Sequence, residues 1–489
     1  MRKHQRKNIL ELFKTINEAQ NNGLYADCQQ AAIGVGEFIE SIEGEGTSTV
    51  ALLEEYCELL FQADNGEVSE KQLHRHLIKI ENSVKSELKP NRIEIAFLSY
   101  KASMSDSIKS IYLAAKDDPG CDAYWIPIPY FDREPDGSFG KTRYEGAEYY
   151  GDDIEITDWR SYNLEERRPD AIFTFNPYDA GNFVTSVDPG FYCERLREFT
   201  ELLVYVPYFV VAGESIAEHF SIIAGCVYAH KVIIQSEKLR EAYLNVFKDK
   251  YGSRFGKPED KFVALGSPKF DETINRNRDD YELPDGWRNL IGGKKVVLYN
   301  TSLGTLLGAN EQYLKKLRYV FGSFNNRDDA VLWWRPHPLS EATYSSMRRH
   351  LIDEYNQIVE SYKSAGRGIY DDTYDLHRAI AVSDAYYGDI SSLVALYGIT
   401  GKPVVIQDTS SEICDIYARL FGIPTNPYRG NSELTFSNYS VFETSDVSFA
   451  LNEDGTITGQ REAFGALTVF TDGTSGKKIY DYIKTQVPV

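Results

Sequence analysis

The stretch Tyr374–Ile406, YDLHRAIAVSDAYYGDISSLVALYGITGKPVVI, decides the fold. Asp384 to Tyr387 is a short β-prone run, and Gly388 to Ser392 is a polar turn. Leu393 to Gly401 then has helical apolar spacing, and Pro403 to Gln407 is β-prone again. A strand, a tight turn, a helix and a second strand make a crossover unit, from which parallel sheets covered by helices are built. Upstream, KVVLYN (295–300) and AVLWW (330–334) are two further buried-strand runs with amphipathic segments between them. Residues 293–408 are therefore predicted to form one Rossmann-type domain.

A second series of the same kind lies nearer the amino terminus. RIEIAFLSY, AYWIPIP, AIFTF (171–175), LLVYVPYFVV (202–211), KVIIQ (231–235) and KFVAL (261–265) are apolar β-prone runs. A helix-like segment from about Ser105 to Lys116 follows the first of them, and EKLREAYLNVF separates the last two. This predicts a Rossmann-like domain over 91–275. NRNRDDYELPDGWRNLIGGKK (275–295) carries Pro284, several glycines and no periodicity, and reads as the link. Residues 1–90 read as helices only: Ile9, Leu10, Phe13 and Ile16 recur at helical spacing, as do Leu52, Leu53, Tyr56 and Leu59, and Leu73, Leu77, Ile80 and Val84. Residues 409–489 are mixed, with a hairpin expected from Val441 to Ile457 and a closing helix in GKKIYDYIKT. The expectation is α/β: two Rossmann-type domains facing a cleft, behind an all-helical N-terminal module.

Composition narrows the function. The 489 residues carry a formal net charge of −20, which argues against nucleic-acid binding because neutralising phosphates needs a basic surface. With 42% hydrophobic and 26% charged residues, the chain is an ordinary globular one. No signal peptide is read in MRKHQRKNILELFK, and the longest apolar run, Leu202 to Gly213, is broken by Pro207 and falls short of the ~20 residues a spanning helix needs. A cytoplasmic location is expected, with contact at the inner face of the membrane through Arg2, Lys3, Arg6 and Lys7 beside Ile9, Leu10 and Phe13 as the alternative. The six cysteines have no paired spacing and read as buried reduced thiols. No metal constellation, cofactor motif or GxxxxGK[ST] loop is present in the sequence, so no cofactor is expected.

Ligands of open parallel sheets bind beyond the carboxyl ends of the strands, so the residues following each strand of the second domain are the candidates. After KVVLYN come Asn300, Thr301, Ser302 and Gly304, a polar loop able to approach a phosphate. After AVLWW come Arg335 and His337, the latter fixed between Pro336 and Pro338. Arginine offers a fork of donors to phosphate oxygens, and histidine is the commonest general acid or base. After the third strand come Gly388, Asp389, Ser391 and Ser392 at a helix start, with Asp389 a cap or a polyol-binding carboxylate. His74 and His76 read as solvated surface and His377 as structural.

The stretch 374–406 resembles the aspartate–serine–serine segment of the CDP-glycerol glycerophosphotransferases, the teichoic-acid primase and polymerase family of GT-B fold. WWRPHP is similar to that family's Arg-Pro-His-Pro motif, and LGSPKFDE (265–272) to the closing segment of its acceptor domain. The resemblance implies that Arg335, His337, Asp389, Ser391 and Ser392 surround the diphosphate of a CDP-activated polyol such as CDP-glycerol, with Asn300, Thr301 and Ser302 in the adjoining loop and Gly388 at the turn. It also implies transfer of a polyol phosphate to an acceptor hydroxyl in cell-wall or capsule polymer synthesis, with release of CMP and Arg335 and His337 in the catalytic roles. SYKASMSDS (99–107) falls where the family has its acceptor-side loop, making Ser103 and Asp106 candidates.

The family's Trp-His-Gly stretch is missing. LVYVPYFVVAGE stands in its place, so the proton acceptor is sought among Asp106, Tyr208, Glu214 and His219. The expected partners are a nucleotide-diphosphate donor and a glycan or lipid-linked acceptor. Two other readings stay open, a glycosyltransferase using a nucleotide-diphosphate sugar and a degenerate binding or scaffold protein.

Overall fold

A computed structural model describes residues 1–134, 136–182, 184–211, 216–325, 327–373, 375–407 and 468–487. Four helices, Lys3–Asn21, Tyr25–Glu43, Ser48–Asp64 and Glu70–Glu87, bury the predicted apolar stripes in one core around Phe13, Ile39, Tyr56 and Ile80. Thr47 caps the third helix by accepting from the Val50 amide, and Ser69 with Gln72 forms a capping box on the fourth. His74 is exposed, but His76 is not the surface residue expected. Its Nε2 meets the Leu52 carbonyl oxygen at 2.9 Å and its ring stacks on Tyr56, because it faces the neighbouring helix.

The next segment forms a six-stranded, wholly parallel sheet. Its strands are β1 (Ile93–Ser99), β2 (Cys121–Pro127), β5 (Ala171–Thr174), β7 (Leu202–Tyr205), β8 (Lys231–Ile234) and β9 (Phe262–Ala264), in the order β2-β1-β5-β7-β8-β9. The long run 202–211 yields only four strand residues, since Pro207 has no amide to donate to the ladder. A small antiparallel sheet, β4-β3-β6, of β3 (Tyr130–Arg133), β4 (Phe139–Arg143) and β6 (Thr185–Val187), was not anticipated. β4 is mostly exposed and lacks the alternation that marks a strand.

The second sheet is also parallel: β10 (Lys295–Thr301), β11 (Ala330–Pro336), β12 (Ile369–Tyr370), β13 (Ala385–Gly388) and β14 (Val404–Ile406), in the order β12-β11-β10-β13-β14. Chain order reverses at β10/β13, which is where such a sheet opens a crevice for ligands. Within the stretch read as the link, 275–295, Asp285–Ile291 is a helix, held because Trp287 packs edge-on against Trp333, 4.9 Å between centroids. Tertiary packing here overrides weak local preference. The expected hairpin 441–457 lies outside the described residues.

Both halves share packing. Val210 and Phe270 of the first half join the core formed by Leu298, Trp333 and Tyr386 of the second. The closing helix, Ser475–Gln486, packs on Lys109–Lys116 of the first domain. Buried Asp271 fixes its start, accepting from the Ser475 and Gly476 amides and from the Ser110 hydroxyl. Asp271→Ala leaves these buried donors unpaired and is expected to cost ~1–3 kcal/mol. A denaturant midpoint equal to wild type would refute that account of how the closing helix is held.

Candidate functional site

Along the carboxyl edge of the second sheet, Asn300 lies in register with Arg335 on β11 and with Gly388 on β13. With strands about 4.8 Å apart, the backbones of Arg335 and Gly388 are roughly 10 Å apart on either side of Asn300. Gly388 is required: its φ is +145°, and a Cβ would lie 2.1 Å from the Asn300 carbonyl oxygen. Asn300 Nδ2 donates to the Tyr386 hydroxyl and to Ser391 Oγ, each at 3.1 Å. Ser391 in turn caps the helix Ser392–Gly398 by accepting from the Leu393 amide, leaving the Ser392 side chain exposed. Ser302 caps Leu303–Ala309 by accepting from Thr305. Thr301 is buried, its hydroxyl taken by Trp334 Nε1 at 3.2 Å.

His337 stands just past β11. The Leu339 amide donates to its Nδ1 at 3.1 Å, so the neutral ring carries its proton on Nε2. Burial lowers its pKa below the ordinary histidine value, which favours this neutral form.

Two expected ligand groups have other work. Asp389 is completely buried and ion-paired with the equally buried Lys316, and it accepts from the Ser302 amide at 2.8 Å. It ties the β10 and β13 loops together. Arg335 is bound to buried Asp371 at 2.7 Å and to the Thr373 and Asp375 carbonyl oxygens. It clamps the segment that leads into the helix Leu376–Val382.

That helix is fixed at both ends. Asp375 caps its start by accepting from the Arg378 amide, and Lys402 Nζ donates to the Ile380, Ala381 and Ser383 carbonyl oxygens at its end. Burial pushes the Lys402 ammonium down to about 8. The helix delivers His377, read from the sequence as structural, to the seam between domains. His377 Nε2 meets Asp106 Oδ2 at 2.9 Å, its Nδ1 meets Thr273 Oγ1 at 3.1 Å, and Lys269 Nζ donates to Asp106 Oδ1 at 2.6 Å. Burial by itself raises the Asp106 pKa, but the Lys269 charge and the His377 contact outweigh it and hold the carboxyl at about 2.

The sign of the linkage follows. A depressed carboxylate stabilises the fold above its ordinary value of 3.8, and that contribution is lost as pH falls toward about 2. The stability gap between wild type and Asp106→Asn is therefore expected to shrink on acidification from about pH 5 to about pH 2, followed by unfolding midpoints at each pH.

Asp106, Ser103 and His377 line a cavity of about 570 Å³ between the domains. Tyr208 and His219 do not line it: Tyr208 is pushed up to about 12 by burial and neighbouring Tyr178, and His219 is exposed against Phe220. Glu214 lies outside the described residues. Among the described residues, no group of three or more His, Cys, Asp or Glu is placed to hold a metal ion, and no helix is long and apolar enough to cross a membrane.

Two parallel α/β domains meeting across a cleft, with a polar edge on the second sheet, are the GT-B arrangement. No family model and no curated protein matches the chain. Among solved structures it is similar to the wall teichoic acid polymerase TagF, at 16% identity over 90% of this chain and 98% of that one, with a TM-score of 0.43. It is also similar to a UDP-N-acetylglucosamine 2-epimerase, at 12% identity, 81% of this chain, 96% of that one and a TM-score of 0.49. A third is S. aureus MnaA in a co-structure with UDP, at 11%, 81%, 97% and 0.48.

Proposed function

We propose that this chain is a transferase that binds a nucleotide-diphosphate donor at the carboxyl edge of β10, β11 and β13 and passes the activated group to a hydroxyl in the interdomain cleft. The observation that supports it most is the convergence of Asn300, Ser302, Ser392 and the Nε2–H of His337 on one edge at the sheet's switch point. The finer reading is a CDP-activated polyol such as CDP-glycerol, for which the support is the resemblance carried by 374–406, WWRPHP and LGSPKFDE.

In that reading the acceptor oxygen attacks the β-phosphorus and the bond to the bridging oxygen breaks. CMP leaves, and a phosphodiester remains. Such a transfer depends on positioning and charge neutralisation rather than covalent help from the protein. Hydrogen bonds from His337 and Ser392 would take up charge on the leaving phosphate. The Asp106–His377 pair, facing the cavity from both domains, would receive the acceptor's proton. Arg335 acts at one remove, by holding the segment that carries His377 in place.

A donor screen that identifies the released nucleotide tests this. CMP from CDP-glycerol is the expected product. Release of a nucleoside diphosphate from a sugar donor would move the assignment to glycosyl transfer. No release, together with no calorimetric binding of any donor, would overturn the transferase reading.

A further inference from the structure

We infer that the interdomain cavity is an acceptor subsite for an uncharged, hydroxyl-rich saccharide and that it rejects polyanionic acceptors. This rests on the transferase reading above and deepens it. The cavity, about 570 Å³, falls within the roughly 300–1,000 Å³ of ligand sites, and both domains wall it. Six carboxylates line it; Asp106 is paired with Lys269, and the other five stand against two lining cations, Lys109 and Arg276.

Those two cations are already engaged. Lys109 Nζ lies 2.8 Å from Asp153 and 3.8 Å from Glu272, and Arg276 lies within 3.9 Å of the same two groups. Asp152, Asp280 and Asp375 also line the cavity and have no ion-pair partner among the described residues. Ionised carboxylates only accept hydrogen bonds, so a ligand presenting many hydroxyl donors suits this wall. Tyr149, Tyr150 and Tyr281 add ring surfaces, amphipathic groups suited to the C–H faces of sugar rings. A polyol-phosphate chain would bring one negative charge per unit against the unpaired carboxylates, a like-charge juxtaposition that selects against it. In the transferase reading the donor's own charge would lie elsewhere, at the β10–β13 edge.

The test uses the full chain and two readouts. Saturation-transfer NMR without donor probes cellobiose, lactose, maltose and diacetylchitobiose against a glycerol-phosphate trimer. At least one neutral sugar is expected to bind about tenfold better than the trimer, and Asp152→Lys with Asp280→Lys is expected to erase that preference. Tyr281→Ala is expected to weaken sugar binding about tenfold without changing trimer binding. Equal or better trimer binding by wild type, or no binding by any of the four sugars, overturns the assignment. Because the NMR experiment contains no donor, its failure is distinct from failure of the donor screen: sugar binding with neither nucleotide release nor calorimetric donor binding would sink the transferase reading and leave the saccharide site standing.

Discussion

Asp389→Ala is expected to destabilise the second domain by ~3–5 kcal/mol, the cost of stranding one member of a buried ion pair. Asp389 and Lys316 are both fully buried, and Lys316 also reaches the Gln407 carbonyl oxygen at 3.4 Å and the Tyr313 ring at 5.4 Å. Without the carboxylate, an ammonium remains in a dry interior, and the Ser302 amide loses its acceptor. Asp389 also donates its own amide to the Asn300 carbonyl oxygen at 2.9 Å, so the side chain and backbone of one residue lock the two loops that form the candidate donor edge.

The double variant Asp389→Leu with Lys316→Met separates the pair's electrostatic role from its packing. Apolar replacements of similar volume often restore stability, so most of the loss is expected to return. Donor binding is not expected to return with it, because the Ser302 amide still lacks a partner and the loop it anchors is free to shift. Urea midpoints of the two variants check the first statement and donor calorimetry checks the second. A single variant as stable as wild type would remove the buried pair from the account of this domain.

The strands and the polar edge of the second sheet were legible because they are local. Each strand of the second sheet except β12 corresponds to an apolar run, and the turn after each run stays at the sheet edge whatever the rest of the chain does. β12 has only two residues and offers no pattern to read. The roles of side chains at that edge were less legible. Asp389 looks like a ligand carboxylate until Lys316, 73 residues earlier, is seen to be buried against it.

The seam was invisible for the same reason. Asp106 and His377 are 271 residues apart in sequence, and a histidine in the first turn of an amphipathic helix reads as packing. The signals that were present are the polar groups crowding that helix: Asp375 as its cap, and Lys402 past its end. The missing Trp-His-Gly leaves Asp106, Tyr208, Glu214 and His219 as candidate proton acceptors; of these, Asp106 lies at the seam, where it meets a histidine from the second domain.

His337→Ala is expected to lower turnover about 100-fold, the lower range for loss of a positioned proton or hydrogen-bond donor. The side chain is only partly buried and the Leu339 amide it accepts from is at a loop, so the folded state should lose no more than about 0.5 kcal/mol. His337→Gln distinguishes the two chemical roles. A glutamine amide can still donate a hydrogen bond but cannot transfer a proton, so near-normal activity in Gln alongside the Ala loss would assign His337 to charge stabilisation on the leaving phosphate.

A pH profile tests the same assignment independently. Burial depresses the pKa of His337, so the neutral ring with its proton on Nε2 persists below the ordinary value of 6.5. Turnover limited by this residue should therefore be level above 6.5 and decline only at lower pH, as protonation of Nδ1 costs the ring its bond from Leu339. A rate that instead falls as pH rises through neutrality would require the imidazolium form, and with it a proton donated to the departing nucleotide.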